Sequence, residues 1–174
     1  LYLYGNNLTA IPVLDQLDKL THLWLSENQI DTLQNLNSLI SVKHLYLANN
    51  KISKIDVKPK AILKIEAFNL SGNPINTFNE VEKLTTLRSL RTLTLWDPLF
   101  RITPVTLLDN YRAHVIHCLP DLGCLDMVDI TEAERHLVQV FYETKVQFYH
   151  LTLQNELAKL WANQQSDLES KNKE

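Results

Sequence analysis

Leucine and asparagine recur in this chain on one fixed spacing. Leu20, Leu23, Leu25, Asn28 and Ile30 follow the order Leu-x-x-Leu-x-Leu-x-x-Asn-x-Leu, and Val42, Leu45, Leu47, Asn50 and Ile52 repeat it 22 positions later. Ile65, Phe68, Leu70, Asn73 and Ile75 form a third copy. Leu1, Leu3, Asn6 and Leu8 carry the pattern without its first position, whereas Leu90, Leu93, Leu95 and Phe100 keep its apolar part with Pro98 in the asparagine slot. The strand starts Leu1, Leu23, Leu45, Phe68 and Leu93 are thus 22, 22, 23 and 25 residues apart. A unit this short cannot bury an apolar face alone, so stability has to come from stacking on its neighbours.

Each half of the unit has its own period. Leu-x-Leu alternation is that of a short strand with one buried face, so the leucines point inward and the residue between them outward. The asparagine amide can both donate to and accept from backbone groups leaving the strand, which lets stacked units satisfy each other's buried polar atoms. After the turn, Ile30, Leu33, Leu36, Leu39 and Val42 recur every third residue, as do Leu8, Ile11, Leu14, Leu17 and Leu20. This spacing predicts a helical or 3-10 return leg with one inward stripe.

The pattern resembles the leucine-rich repeat family, in its short subclass of roughly 22 residues typical of intracellular proteins such as the regulatory subunit of protein phosphatase 1. The resemblance covers residues 1–100 and implies an α/β solenoid: a curved parallel sheet with helical or 3-10 return legs, a C-terminal cap and a long C-terminal helix. The cap is expected over 101–129. Asn110-Tyr111-Arg112, Val115-Ile116, Leu119-Pro120-Asp121-Leu122 and Leu125-Asp126 stand there in the order of the subclass's capping motif. Leu107, Leu108, Tyr111, Val115 and Cys118 would trace one helical stripe, Pro120 would end it, and Leu122 with Leu125 would supply a last strand-like pair.

Thr131-Glu132-Ala133-Glu134 fits a capping box, and the following stretch lacks Pro and Gly, predicting a long helix over 130–168 and a disordered tail over 169–174. Leu137, Phe141, Thr144, Phe148 and Leu151 share one row, and Leu153, Leu157, Leu160 and Gln164 another. The shift between rows argues against a single uninterrupted coiled-coil seam. The wording from Gln139 to Tyr149 is similar to that of the cilium-associated leucine-rich repeat-containing protein nine. The cap is shared with the spliceosomal A-prime protein.

Composition narrows the functions. The 174 residues hold 17 Lys plus Arg against 20 Asp plus Glu, a net charge of -3, so direct nucleic-acid binding is not expected. Three scattered glycines make no phosphate-cradling loop, and neither His-Glu-x-x-His nor Gly-x-Ser-x-Gly occurs. No enzyme, cofactor or small-molecule substrate is therefore expected. No apolar run is long enough for a membrane span, and two cysteines make no disulfide framework, which favours an intracellular, cytoplasmic setting with cilium or nucleus as alternatives. His114, His117, Cys118 and Cys124 have ligand chemistry but the wrong spacing for a zinc site, so no metal is expected. Because Leu1, Leu3, Leu8, Ile11 and Leu14 need covering, further repeats or a cap are expected N-terminal to Leu1.

The outward positions can be read directly. Between the inward residues stand Tyr2, Trp24, Tyr46, Asn69 and Thr94; two positions on come Tyr4, Ser26, Ala48, Ser71 and Trp96; one position before come His22, His44, Ala67 and Thr92. With parallel strands about 4.8 Å apart, Tyr2, Trp24 and Tyr46 should form an aromatic column. Exposed aromatic patches mark interfaces, so a protein partner is expected on the concave face at Tyr2, Tyr4, His22, Trp24, Glu27, His44, Tyr46 and Trp96, with Glu27 and Asp97 at its rim. The sequons at Asn7 and Asn69 are products of the repeat. The resemblance adds two alternatives to an interaction scaffold: a ribonucleoprotein component like the A-prime protein, and a phosphatase regulatory subunit.

Overall fold

The computed structural model describes residues 1–57 and 63–171, with side chains as far as residue 160. The chain divides into two compact units, Leu1–Arg135 and His136–Glu174. The first is built on a six-stranded sheet in chain order: β1 (His22–Trp24), β2 (His44–Tyr46), β3 (Ala67–Asn69), β4 (Thr92–Thr94), β5 (Cys124–Leu125) and β6 (Val128–Asp129). Strands β1 to β5 pair in parallel, with Leu23, Leu45, Phe68, Leu93 and Leu125 in register, and β6 returns antiparallel to β5. Ahead of β1, Tyr2 pairs with Trp24 as an isolated bridge, so the first motif adds one rung rather than a full strand.

The inward positions behave as the alternation requires. Leu23, Leu45, Phe68, Leu93 and Leu125 form one buried row; Leu25, Leu47, Leu70 and Leu95 form a second. Behind them the stripe Ile30, Leu33, Leu36, Leu39 and Val42 is buried throughout. The return legs themselves vary. The second holds a 3-10 turn at Leu36–Ser38, and the fourth holds helix α1 (Phe78–Glu82) running into 3-10 turn Lys83–Thr86. The first leg makes turns only, and its Leu17 is exposed. In the third, residues 58–62 lie outside the described ones.

The asparagines form a ladder. Asn28 Nδ2 donates to the carbonyls of Leu3 and Leu25, Asn50 Nδ2 to those of Leu25 and Leu47, and Asn73 Nδ2 to those of Leu47 and Leu70, all at 2.8–3.0 Å. In return Leu8 N, Ile30 N and Ile52 N each donate to one amide oxygen at 3.0 Å. Each asparagine therefore bridges its own unit to the one before. Pro98 ends the ladder, and the cap replaces it: Leu95 N and Trp96 N donate to Asp126 Oδ1 at 2.7 and 2.8 Å, and the Tyr111 hydroxyl donates to Asp126 Oδ2 at 2.9 Å.

A second regularity lies one residue earlier. Gly5, Glu27, Asn49 and Gly72, each preceding a motif asparagine, all have φ between 53° and 69°. This left-handed bend aims the amide back at the strand, and only glycine adopts it without cost. At Gly72 a Cβ would stand 3.2 Å from Asn49 N and 3.3 Å from Arg101 N, whereas at Gly5 nothing lies within 4 Å. Gly72→Ala should destabilise the protein by about 2–3 kcal/mol and Gly5→Ala by about 1 kcal/mol, read as shifts in urea midpoint. Equal costs at the two sites would show that backbone crowding at Gly72 does not matter.

The cap departs from the expected stripe. Helix α2 spans Tyr111–Cys118, and its buried face is Tyr111, Val115 and Ile116. Leu107, 71% exposed, and Leu108 lie before the helix, because Leu108 is extended and Asn110 turns left-handed to restart the chain. Leu122 is buried but precedes β5. Arg112 clamps the cap with Nε–Glu134 Oε1 at 2.6 Å and Nη2–Glu134 Oε2 at 2.9 Å, and that bonding holds the Glu134 carboxyl below its ordinary range. Helix α3 (Glu132–Lys171) starts at the anticipated capping box, with Glu134 N donating to Thr131 Oγ1 at 3.2 Å. It continues into the segment expected to be a tail; residues 172–174 lie outside the described ones. In the second unit, Leu137, Phe148, Leu151, Leu153, Leu157 and Leu160 are exposed along α3. Among the described residues, no helix is long and apolar enough to cross a membrane.

Candidate partner-binding face

Because β1 and β2 are in register, their outward side chains are forced side by side. Tyr2 stacks on Trp24 with ring centroids 4.1 Å apart and planes 13° from parallel, and Trp24 stacks on Tyr46 at 5.1 Å and 9°. The two histidines one position earlier do the same, His22 on His44 at 4.2 Å and 4°. His22 also faces Trp24 at 5.6 Å, so the two columns merge into one patch of five rings. Spacing alone indicates each column; the contact between them depends on side-chain angles that no motif encodes.

The patch is graded in exposure. Tyr2 is 74% exposed, while Trp24, Tyr46, His22 and His44 are half-buried by one another. Burial, with the neighbouring His22 second, lowers the pKa of His44, which keeps that ring neutral and compatible with an apolar face. At the patch edge, Lys43 Nζ meets Glu66 Oε1 at 2.7 Å. The neighbouring Glu27 carboxylate raises the Tyr4 pKa, which sets those two predicted residues near each other at the strand exit.

Not every expected position joins. The row two residues beyond the column is mostly interior: Ser26, Ala48 and Ser71 are buried, because the chain has begun its left-handed bend by then. Trp96 is exposed but stands beyond β4, three strands from Trp24 and therefore roughly 14 Å away, beside Asp126 of the cap. Asn69 and Thr94 interrupt the column between them, with the Asn69 amide oxygen taken by Ser71 N and Oγ at 2.9 and 2.7 Å. Asp97 accepts from Leu99 N at 2.9 Å, within its own turn. A recess of about 960 Å³ lies elsewhere, among return-leg residues such as Asp15, Asp31, Lys54 and Asp56.

One juxtaposition carried no signal in the spacing. Glu82, at the end of α1, reaches His114 and Cys118 of α2, residues 32 or more positions away. Burial pushes the Cys118 thiol up to about 11, so it is not an activated nucleophile at neutral pH.

A model of the family described as "Leucine-rich repeat" matches residues 3–151. The chain belongs to the leucine-rich repeat family. It is similar to the Drosophila melanogaster "Probable U2 small nuclear ribonucleoprotein A'", 32% identical over 86 residues, 49% of this chain and 31% of that protein. It is also similar to the Mus musculus "Centrosomal protein of 72 kDa", 37% identical over 82 residues, 47% of this chain and 12% of that one. The chain thus spans less than half the length of these curated relatives. Among solved structures, a chain of the Drosophila melanogaster SNF/U2A' complex superposes with a TM-score of 0.76 at 30% identity, covering 86% of this chain and 84% of that one. This leucine-rich repeat chain therefore shares its architecture over nearly its whole length with a chain solved in a protein complex.

Proposed function

We propose that this protein is a non-enzymatic interaction scaffold of the 22-residue repeat subclass that binds a protein partner on its sheet face. The observation that carries the reading is the merged stack of Tyr2, Trp24, Tyr46, His22 and His44. Five flat rings held by a rigid parallel sheet offer a preorganised apolar surface that needs little further ordering on binding. Trp and Tyr are the side chains that most often dominate interface energies, and Glu27, Tyr4 and the Lys43–Glu66 pair give the patch a polar rim. Trp96 would make a separate contact next to the cap.

A photo-crosslinking side chain placed at Trp24 or Tyr46 should trap one partner in cells, and the same group at Asp31 on a return leg should not. Trp24→Ala should then weaken binding of that partner by about 30-fold, with the circular dichroism spectrum unchanged. Crosslinks from Asp31 alone would remove the sheet face from consideration.

A second reading, a ribonucleoprotein component, is favoured by the likeness to the U2 A' protein and to the SNF/U2A' complex. With a net charge of -3 the chain is suited to reach RNA through a protein rather than directly. Recovery of a small nuclear RNA with the wild-type chain and its loss with Trp24→Ala would support that reading; a purified chain that binds RNA with a steep salt dependence would instead show direct contact. The compartment follows the reading chosen: nucleus for a ribonucleoprotein component, cytoplasm or cilium for a scaffold outside it. A phosphatase regulatory role rests on repeat subclass alone.

A further inference from the structure

Away from the sheet face, on the return-leg side, three side chains of different chemistry converge. Glu82 Oε1 lies 3.0 Å from His114 Nε2, and His114 Nε2 lies 3.4 Å from Cys118 Sγ. One ligand atom from each of the three falls within 4.8 Å of the other two. His114 and Cys118 share one face of α2 through their four-residue spacing, and Glu82 comes from the end of α1. The His114 ring is oriented by stacking on Phe78 at 4.0 Å and 21°.

We propose that Glu82, His114 and Cys118 form a zinc-binding site. Tetrahedral zinc takes sulfur at about 2.3 Å, imidazole nitrogen at about 2.0 Å and carboxylate oxygen at about 2.1 Å, which places its ligand atoms roughly 3.3–3.6 Å apart. The Glu82–His114 and His114–Cys118 separations need to open by only a few tenths of an ångström to reach those values, and Glu82 and Cys118, within 4.8 Å of each other, close on the ion as the carboxylate turns. The charges also suit the ion: a thiolate, a carboxylate and a neutral imidazole cancel a divalent cation. Cys118 would release its thiol proton to solvent on binding, His114 would bind through Nε2 in place of its contact with Glu82, and water would complete the fourth position. A mixed Cys, His and carboxylate set selects zinc over magnesium or calcium, which prefer all-oxygen shells. The ion would staple the last helical return leg to the cap, across 32 residues of chain between Glu82 and His114.

Titration of the purified chain with cobalt(II) should give one equivalent bound, with a thiolate-to-cobalt charge-transfer band that zinc(II) bleaches and a melting temperature that rises with metal. Cys118→Ser should abolish the band, His114→Ala should weaken binding at least 100-fold, and Glu82→Gln should weaken it about tenfold. Cys124→Ser should leave it intact. Glu82 is about half exposed, so its variant is expected to fold and keeps the test decisive even if the helix variants do not. Absence of the band in the folded wild-type chain, its persistence in Cys118→Ser, or unchanged affinity in Glu82→Gln would overturn the site.

Discussion

Asn50→Ala is expected to lower the unfolding free energy by about 3–4 kcal/mol, enough to unfold a marginal repeat protein at moderate temperature. The side chain is buried and makes four hydrogen bonds: Nδ2 donates to the carbonyls of Leu25, Leu47 and Ala48, and Oδ1 accepts from Ile30 N. The losses are unequal. Leu25 and Leu47 carbonyls are also served by Asn28 and Asn73, and the Ala48 carbonyl by Glu27 N, so each keeps one partner. Ile30 N is left buried without the amide oxygen, and that orphaned donor supplies the largest share. Asn50→Asp should cost more than alanine at neutral pH, because it restores the acceptor but sets a carboxylate against three carbonyl oxygens. Urea unfolding monitored by circular dichroism checks both; an aspartate variant as stable as wild type would show that the donated bonds contribute nothing.

Phe68→Ala should cost about 3–5 kcal/mol, and Phe68→Leu about 1 kcal/mol. Phe68 is 1% exposed at the centre of β3, where the other copies of the motif carry leucine, and it lies in register between Leu45 and Leu93. A cavity there touches the units on either side. Since a solenoid is held by nearest-neighbour contacts, hydrogen exchange in Phe68→Ala should speed up in β2 and β4 together and less in β1. A loss confined to β3 would contradict that coupling. Neither substitution alters an outward ring directly, so weakened partner binding in these variants should track the unfolded fraction. That behaviour distinguishes them from Trp24→Ala, which acts on the surface alone.

Much of the solenoid was legible in the amino acids because its rules are local. A strand turns every second side chain to one face, so Leu23 and Leu25 had to point inward and Trp24 outward, and a common period of 22 residues had to set Tyr2, Trp24 and Tyr46 beside one another. The asparagine ladder follows from the same phase: an amide repeated at every turn meets the same backbone groups each time. The end of the exposed row was less legible. Ser26, Ala48 and Ser71 continue the alternation on paper, but the left-handed bend at Glu27, Asn49 and Gly72 carries them inside.

What only the tertiary structure decided are the meetings between residues far apart in the chain. Asp126 takes over where Pro98 breaks the ladder, and Glu82 reaches His114 and Cys118, in both cases across about 30 residues. Trp96 ends beside the cap, apart from the aromatic patch. Leu107, at the end of the 3-10 turn Pro104–Leu107, and Leu108, both apolar and correctly spaced, are left outside because the chain is extended at Leu108 before α2 begins. A period specifies which face a residue occupies within its own unit, since that depends only on backbone geometry. Which distant side chain it touches depends on how the capping elements pack on the final repeat, and there the repeat, with its fixed register, no longer applies.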